Sequence, residues 1–125
     1  MRPGAVVCVV DDEAPIRRLI RAQLESEGVT VVEAKSSDEA QAAIEEHLAS
    51  LAIIDLFMQR GDGLSLIATL KHNWPRLRIL AISGGGGGRA IDYLKVARDL
   101  GADDTLAKPF SREEIVAKVR DLLNG

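Results

Sequence analysis

Apolar residues gather in five short runs along the chain: "AVVCVV" (5–10), "VTVVEA" (29–34), "LAIID" (51–55), "LRILAIS" (77–83) and "DTLAK" (104–108). Runs of this length, bounded by polar or glycine-containing segments, predict strands. Between them the period changes to that of a helix. Ile16, Leu19, Ile20 and Leu24 recur at helical spacing; so do Ala40, Ala43 and Ile44, and then Leu64, Ile67 and Leu70. Leu94, Ala97 and Leu100 follow, and Ile115, Val119 and Leu122 close the series. The pattern predicts five strands alternating with five helices.

Helix boundaries carry their own chemistry. Ser36 with Glu39 and Ser111 with Glu114 match the S-x-x-E capping box, in which a hydroxyl and a carboxylate satisfy free N–H groups at a helix start. Gly28 and Gly101 stand just past two helices, where a left-handed residue is wanted. Trp74-Pro75 reads as a helix stop followed by a turn. The first, third and fourth runs are apolar at nearly every position, which suits parallel strands covered on both faces. Right-handed βα units of this kind predict a doubly wound α/β domain with a five-stranded parallel sheet.

A length of 125 residues suits one domain with one sizeable core. No apolar stretch approaches the roughly 20 residues of a membrane helix, and the first run is too short for the core of a signal peptide. The expected location is the cytoplasm. A net charge of -3 argues against non-specific nucleic-acid binding, which needs clustered cations against phosphates. Arg17, Arg18 and Arg21 read as a solvated helix face, and His47 and His72 as surface residues. The single cysteine, Cys8, lies inside the first apolar run and reads as a small core residue.

Candidate chemistry begins with "ILAISGGGGGRAIDYL" (79–94), where a strand meets five glycines and then a helix. Neither G-x-G-x-x-G nor G-x-x-x-x-G-K-[ST] fits, because Arg89 stands where the last glycine is needed. A nucleotide cradle is excluded on spacing. In open α/β sheets ligands sit beyond the carboxyl ends of the strands. There the first run ends in Asp11, Asp12 and Glu13, the third in Asp55, the fourth in Ser83, and the fifth in Lys108 before Pro109.

Three aspartates in one crevice repel one another unless a cation intervenes or a proton is retained. All-oxygen ligands in this number favour a hard divalent ion, and Mg2+ characteristically keeps open positions for phosphate oxygens. Lys108 offers a point charge and Ser83 a hydroxyl donor, both suited to a phosphoryl group. The glycine run would start the fourth helix with free backbone N–H groups near that charge.

With these residues assembled, the chain resembles the response-regulator receiver domains of bacterial two-component signalling over essentially its whole length. The resemblance rests on "DDE" (11–13), "IIDLFMQRGDG" (53–63), "AISG" (81–84) and "GADDTLAKPF" (101–110), in order and at the proper intervals. It implies a flavodoxin-like fold with strand order 2-1-3-4-5. It implies that Asp55 accepts a phosphoryl group from a histidine kinase. It also implies that Mg2+ is held by Asp12, by Asp11 through water, by Asp55 and by the backbone carbonyl of Phe57. Ser83 and Lys108 would bind the phosphoryl oxygens, and the Lys108-Pro109 bond would be cis.

The chain departs from the family at three places. Relatives usually carry Tyr or Phe where Thr105 stands, so the usual aromatic switch is altered. Gln59 replaces the common proline, and the run after Gly84 is richer in glycine, which predicts a mobile loop over 84–89 that orders on phosphorylation. Residues 1–125 are expected to be a single receiver with no output domain among them, acting alone or as part of a longer regulator or hybrid kinase. It would catalyse only its own phosphorylation and dephosphorylation and signal to a downstream protein or phosphotransfer partner. Two other readings stay open at this point. A metal-dependent phosphatase would share Asp, Mg2+, Ser and Lys, but it commonly has D-x-D and a cap, whereas Leu56 and Phe57 follow Asp55 here. A receiver-like module that binds a partner without phosphorylation is the other.

Overall fold

The computed structural model describes residues 4–58, 63–84 and 89–124. The elements run β1 (Val6–Val10), α1 (Ala14–Glu25), β2 (Thr30–Ala34), α2 (Ser37–His47), β3 (Leu51–Asp55), α3 (Gly63–Asn73), β4 (Arg78–Gly84), α4 (Arg89–Leu100), β5 (Asp104–Lys108) and α5 (Arg112–Asn124). The five strands form one parallel sheet in the order β2-β1-β3-β4-β5. That is the doubly wound, five-stranded α/β fold expected from the alternating pattern, and every strand overlaps its expected run.

Burial explains the apolar runs. β3 is buried at every position, and β1 and β4 nearly so, because helices cover both faces of the sheet. Side chains alternate along each strand between two cores. Val7, Val9, Ile53, Leu80 and Ile82 face one way, against Ile20 and Leu24 of α1 and Ile115, Val119 and Leu122 of α5. Cys8, Val10, Ala52, Ile54, Ile79 and Ala81 face the other, against Ile44 of α2, Ile67 and Leu70 of α3 and Ala97 of α4. Cys8 is a core residue, and burial pushes its thiol up to about 12. The edge strands β2 and β5 are only partly covered, and their sequences alternate more.

Two helical positions differ from the periodic reading. The inward stripe of α1 is Ile16, Ile20 and Leu24, at steps of four; Leu19 sits about 100° away and is exposed. Leu100, the last residue of α4, is exposed as well. The capping signals act as read. The Glu39 N–H donates to Ser36 Oγ at 3.2 Å, while the Glu39 carboxylate accepts from Lys35 N–H instead of Ser36. Ser111 and Glu114 bond reciprocally, at 3.1 and 3.0 Å. Gly28 and Gly101 both take positive φ.

Candidate phosphoryl and metal site

The site lies at the carboxyl edge of the sheet, where β1 and β3 are neighbours although the chain leaves β1 in one direction and β3 in the other. The helices that follow them pack on opposite faces, and this divergence opens a crevice above the strand ends. β1 delivers Asp11 and Asp12, β3 delivers Asp55, β4 delivers Ser83 and β5 delivers Lys108. One oxygen from each of Asp11, Asp12 and Asp55 lies within 4.8 Å of the others. Asp11 and Asp55 are buried, and Asp12 is half-buried.

Hydrogen bonds fix these carboxylates. Asp11 Oδ1 accepts from Glu13 N–H at 2.9 Å, and Asp55 Oδ1 accepts from Phe57 N–H at 3.1 Å. The second oxygens face Lys108 Nζ, at 4.0 Å from Asp11 and 3.7 Å from Asp55. One ammonium is therefore shared between two carboxylates with a third close by. The result is felt at Asp11, whose carboxyl is pushed up from 3.8 to about 6. Burial is the largest cause; the charges of Asp55 and Asp12 add to it, and the Glu13 N–H and Lys108 oppose it.

Ser83 is fully buried, and among the described residues its Oγ has no hydrogen-bond partner. A buried hydroxyl left so costs free energy unless a ligand completes it. The Lys108-Pro109 peptide bond is cis, and Gly84 stands beside Lys108 in the β4–β5 register. Phe57 exposes its ring, which meets Tyr93 of α4 edge-on with centroids 5.0 Å apart. Thr105 lies outside the crevice: Arg98 donates to its hydroxyl at 3.1 Å and to Asp104 at 3.0 Å, and Lys118 reaches the same Asp104. Where relatives carry a ring, this chain has a hydroxyl tied into an ion-pair network. Gln59 and residues 85–88, most of the stretch expected to be a mobile loop, lie outside the described residues.

Two contributors escaped the sequence reading. Arg17 is not a solvated cation: Nη1 donates to the backbone carbonyl of Asp11 at 2.8 Å, and Nε pairs with Glu33 at 3.0 Å. Arg21 joins Glu33 as well, at 3.0 Å. Burial raises the Glu33 carboxyl, but the hydrogen bonds from Arg21 and Arg17 outweigh it and hold the group below its ordinary value. The available signal was an acid inside the otherwise apolar "VTVVEA" run. Gly63 is the other contributor. A Cβ there would lie 2.7 Å from Leu56 Cα and 2.8 Å from the Asp55 carbonyl oxygen, so α3 can start against the loop after Asp55 only with glycine. That glycine closes the "IIDLFMQRGDG" segment, and its role was not readable from spacing.

Fold and site together define a doubly wound α/β domain with an acidic, lysine-capped pocket at the carboxyl edge of its sheet. The profile of the response regulator receiver domain matches residues 7–120, and the chain belongs to that family, the receivers of two-component systems. It is 36% identical over 117 residues to the transcriptional regulatory protein PhoP of Escherichia coli O157:H7, covering 94% of this chain and 51% of that protein. It is 32% identical over 120 residues to the phosphate regulon transcriptional regulatory protein PhoB of Pseudomonas aeruginosa, covering 96% of this chain and 52% of that protein. The chain thus spans about half the length of these curated relatives. Its fold matches the crystal structure of the receiver domain of NtrX from Brucella abortus with a TM-score of 0.89 and 34% identity, covering 94% of this chain and 98% of that one.

Proposed function

We propose that Asp55 is the phosphoacceptor of a signalling switch charged by a histidine kinase. The observation that carries this reading is the convergence on Asp55 of two further aspartates and Lys108, with Ser83, whose buried hydroxyl has no partner among the described residues, one position past the residue paired with Asp55 in the neighbouring strand. A carboxylate oxygen of Asp55 attacks phosphorus, the new O–P bond forms, and the P–N bond of the phosphohistidine breaks with its electron pair returning to the imidazole nitrogen. The Phe57 N–H orients the Asp55 carboxylate for this attack. Lys108, already shared between Asp11 and Asp55, neutralises charge on the transferred group, and Ser83 Oγ donates to one of its oxygens.

The donor set fits Mg2+: three carboxylates supply oxygen only, and their number and spacing suit a small hard cation. Asp11, Asp12 and Asp55 would hold it, with the Phe57 carbonyl completing the set, and the ion would supply positive charge to the phosphoryl oxygens. Hydrolysis of the aspartyl phosphate ends the signal, and the protein turns over no other substrate. Residues 1–125 form one receiver domain acting in the cytoplasm, alone or within a longer regulator, on a downstream protein or phosphotransfer partner and not on nucleic acid directly. No described helix is long and apolar enough to cross a membrane, which is compatible with that location.

Incubation with acetyl phosphate and Mg2+, followed by intact mass, tests the reading. One added phosphoryl mass is expected, dependent on Mg2+ and absent from Asp55→Ala. An adduct that persists in Asp55→Ala would assign another acceptor. No adduct on the wild-type chain would favour a binding module that works without phosphorylation.

A further inference from the structure

At the opposite end of the sheet from Asp55, the amino ends of β3, β4 and β5 border an open groove of about 920 Å³. Its apolar lining includes Trp74, Leu122 and Leu123, where the two cores meet the surface. On its rim stands Leu48, the C-cap of α2, and this residue is doubly unusual. Its backbone is left-handed, with φ 52° and ψ 52°, a conformation that favours glycine or asparagine, and its aliphatic side chain is 82% exposed. Neither the fold nor the phosphoryl site calls for leucine at such a position. Backbone outliers kept at bulky residues concentrate where a ligand is bound.

The charge of the groove is opposite to that of the molecule. Among its described lining residues, Lys71, Arg76 and Arg78 stand against one carboxylate, Asp103, in a chain whose net charge is -3. Asp103 is already engaged by Lys71 at 2.9 Å, by Arg78 at 3.7 Å and by Ile79 N–H at 2.8 Å. Arg76 is exposed and makes no ion pair among the described residues. An occupant must therefore bring apolar side chains for Leu48 and Trp74 and carboxylates for Arg76 and its neighbours.

We propose that this groove docks an acidic amphipathic segment of a partner protein. The site is separate from the phosphoryl pocket, and the proposal does not depend on phosphorylation of Asp55. The groove has room for several side chains, so a peptide segment fits it better than a small anion. Aliphatic residues of the segment pack on Leu48 and Trp74, and its carboxylates meet the cationic rim.

The test is to pan a displayed library of random peptides against the full 125-residue chain and to titrate the enriched peptides while following the fluorescence of Trp74, the single tryptophan. Expected are peptides combining Asp or Glu with Leu, Ile or Phe, a saturable blue shift of Trp74 emission, and weakening by salt. Leu48→Gly relieves the left-handed backbone while deleting the side chain, so it should melt no lower than wild type yet bind at least tenfold more weakly. Arg76→Glu should lose affinity similarly. Both variants should still take up a phosphoryl group from acetyl phosphate as the wild type does. The proposal is overturned by failure to enrich any peptide, by peptides without acidic bias, by binding unchanged in both variants, or by a Trp74 shift that follows protein concentration alone, which would make a second copy the occupant.

Discussion

Asp11 is where the electrostatics of the site can be read most directly. Its folded-state value of about 6 lies above the ordinary 3.8, so between these values the folded chain holds a proton that the unfolded chain has released. The stability contributed by this group is present below pH 4, falls as pH rises from about 4 to about 6, and is gone above that. In EDTA, therefore, the melting temperature should fall across this window relative to Asp11→Asn, which has no carboxylate to ionise. At pH 7 the variant should melt several degrees higher than wild type, since ~1 kcal/mol corresponds to roughly 4 °C in a domain near this size. Mg2+ affinity should show the opposite trend and weaken as pH drops below about 6, because proton and cation compete for one carboxylate. Parallel melting curves for wild type and variant from pH 4 to 7 would show that Lys108 compensates fully. The acid was visible in the sequence because strand end and carboxylate coincide there; its displaced pKa was not, because its burial and the nearby charge of Asp55 are properties of the assembled sheet.

Among the elements, α3 is held to the site by an absent side chain. Gly63 opens this helix directly over the loop after Asp55, and backbone atoms, which cannot yield as a flexible side-chain tip can, lie within 2.8 Å of any added Cβ. Gly63→Ala should lower stability by about 1–3 kcal/mol, the range for an overpacked contact. The phosphorylation rate should drop as well, because the displaced loop carries the Phe57 N–H that orients Asp55. Denaturant unfolding and the rate of adduct formation with acetyl phosphate measure the two effects, and a stable variant with a normal rate would mean that α3 shifts without disturbing Asp55. The elements themselves were legible because period and caps agree locally: Ser111 and Glu114, three residues apart, both announce and form the start of α5. What stayed illegible joins residues distant in sequence. Arg17 reaches Glu33 of β2 and the Asp11 carbonyl, and Arg98 reaches Thr105; each looks like a surface cation until the helix is laid on the sheet.

For the whole molecule, the decisive feature is that the ligand site belongs to no single core. Asp11 and Asp12 follow β1, Asp55 ends β3, Ser83 lies in β4 and Lys108 ends β5, and side chains of these strands feed the hydrophobic clusters on both faces of the sheet. A cation bound between the carboxylates can form its full set of contacts only when β1 and β3 are paired, so it binds the folded chain and not the unfolded one. With Mg2+ as the proposed cation, mass action would then make the stability of the entire domain depend on its concentration. At ten times the dissociation constant the added stability should be about 1.4 kcal/mol, rising by a similar amount for each further tenfold increase. Thermal melts over a range of MgCl2, with ionic strength held constant by KCl so that simple screening does not contribute, should show a single cooperative transition moving upward with the logarithm of Mg2+. Asp12→Ala should remove most of this dependence while leaving the metal-free transition near or above that of wild type, because one of three mutually repelling carboxylates is gone. A variant that keeps the full Mg2+ dependence would place the cation outside the pocket. If the transition split in two, the faces of the sheet would be unfolding separately, and the strand ends would not be the point at which ligand binding is coupled to both cores.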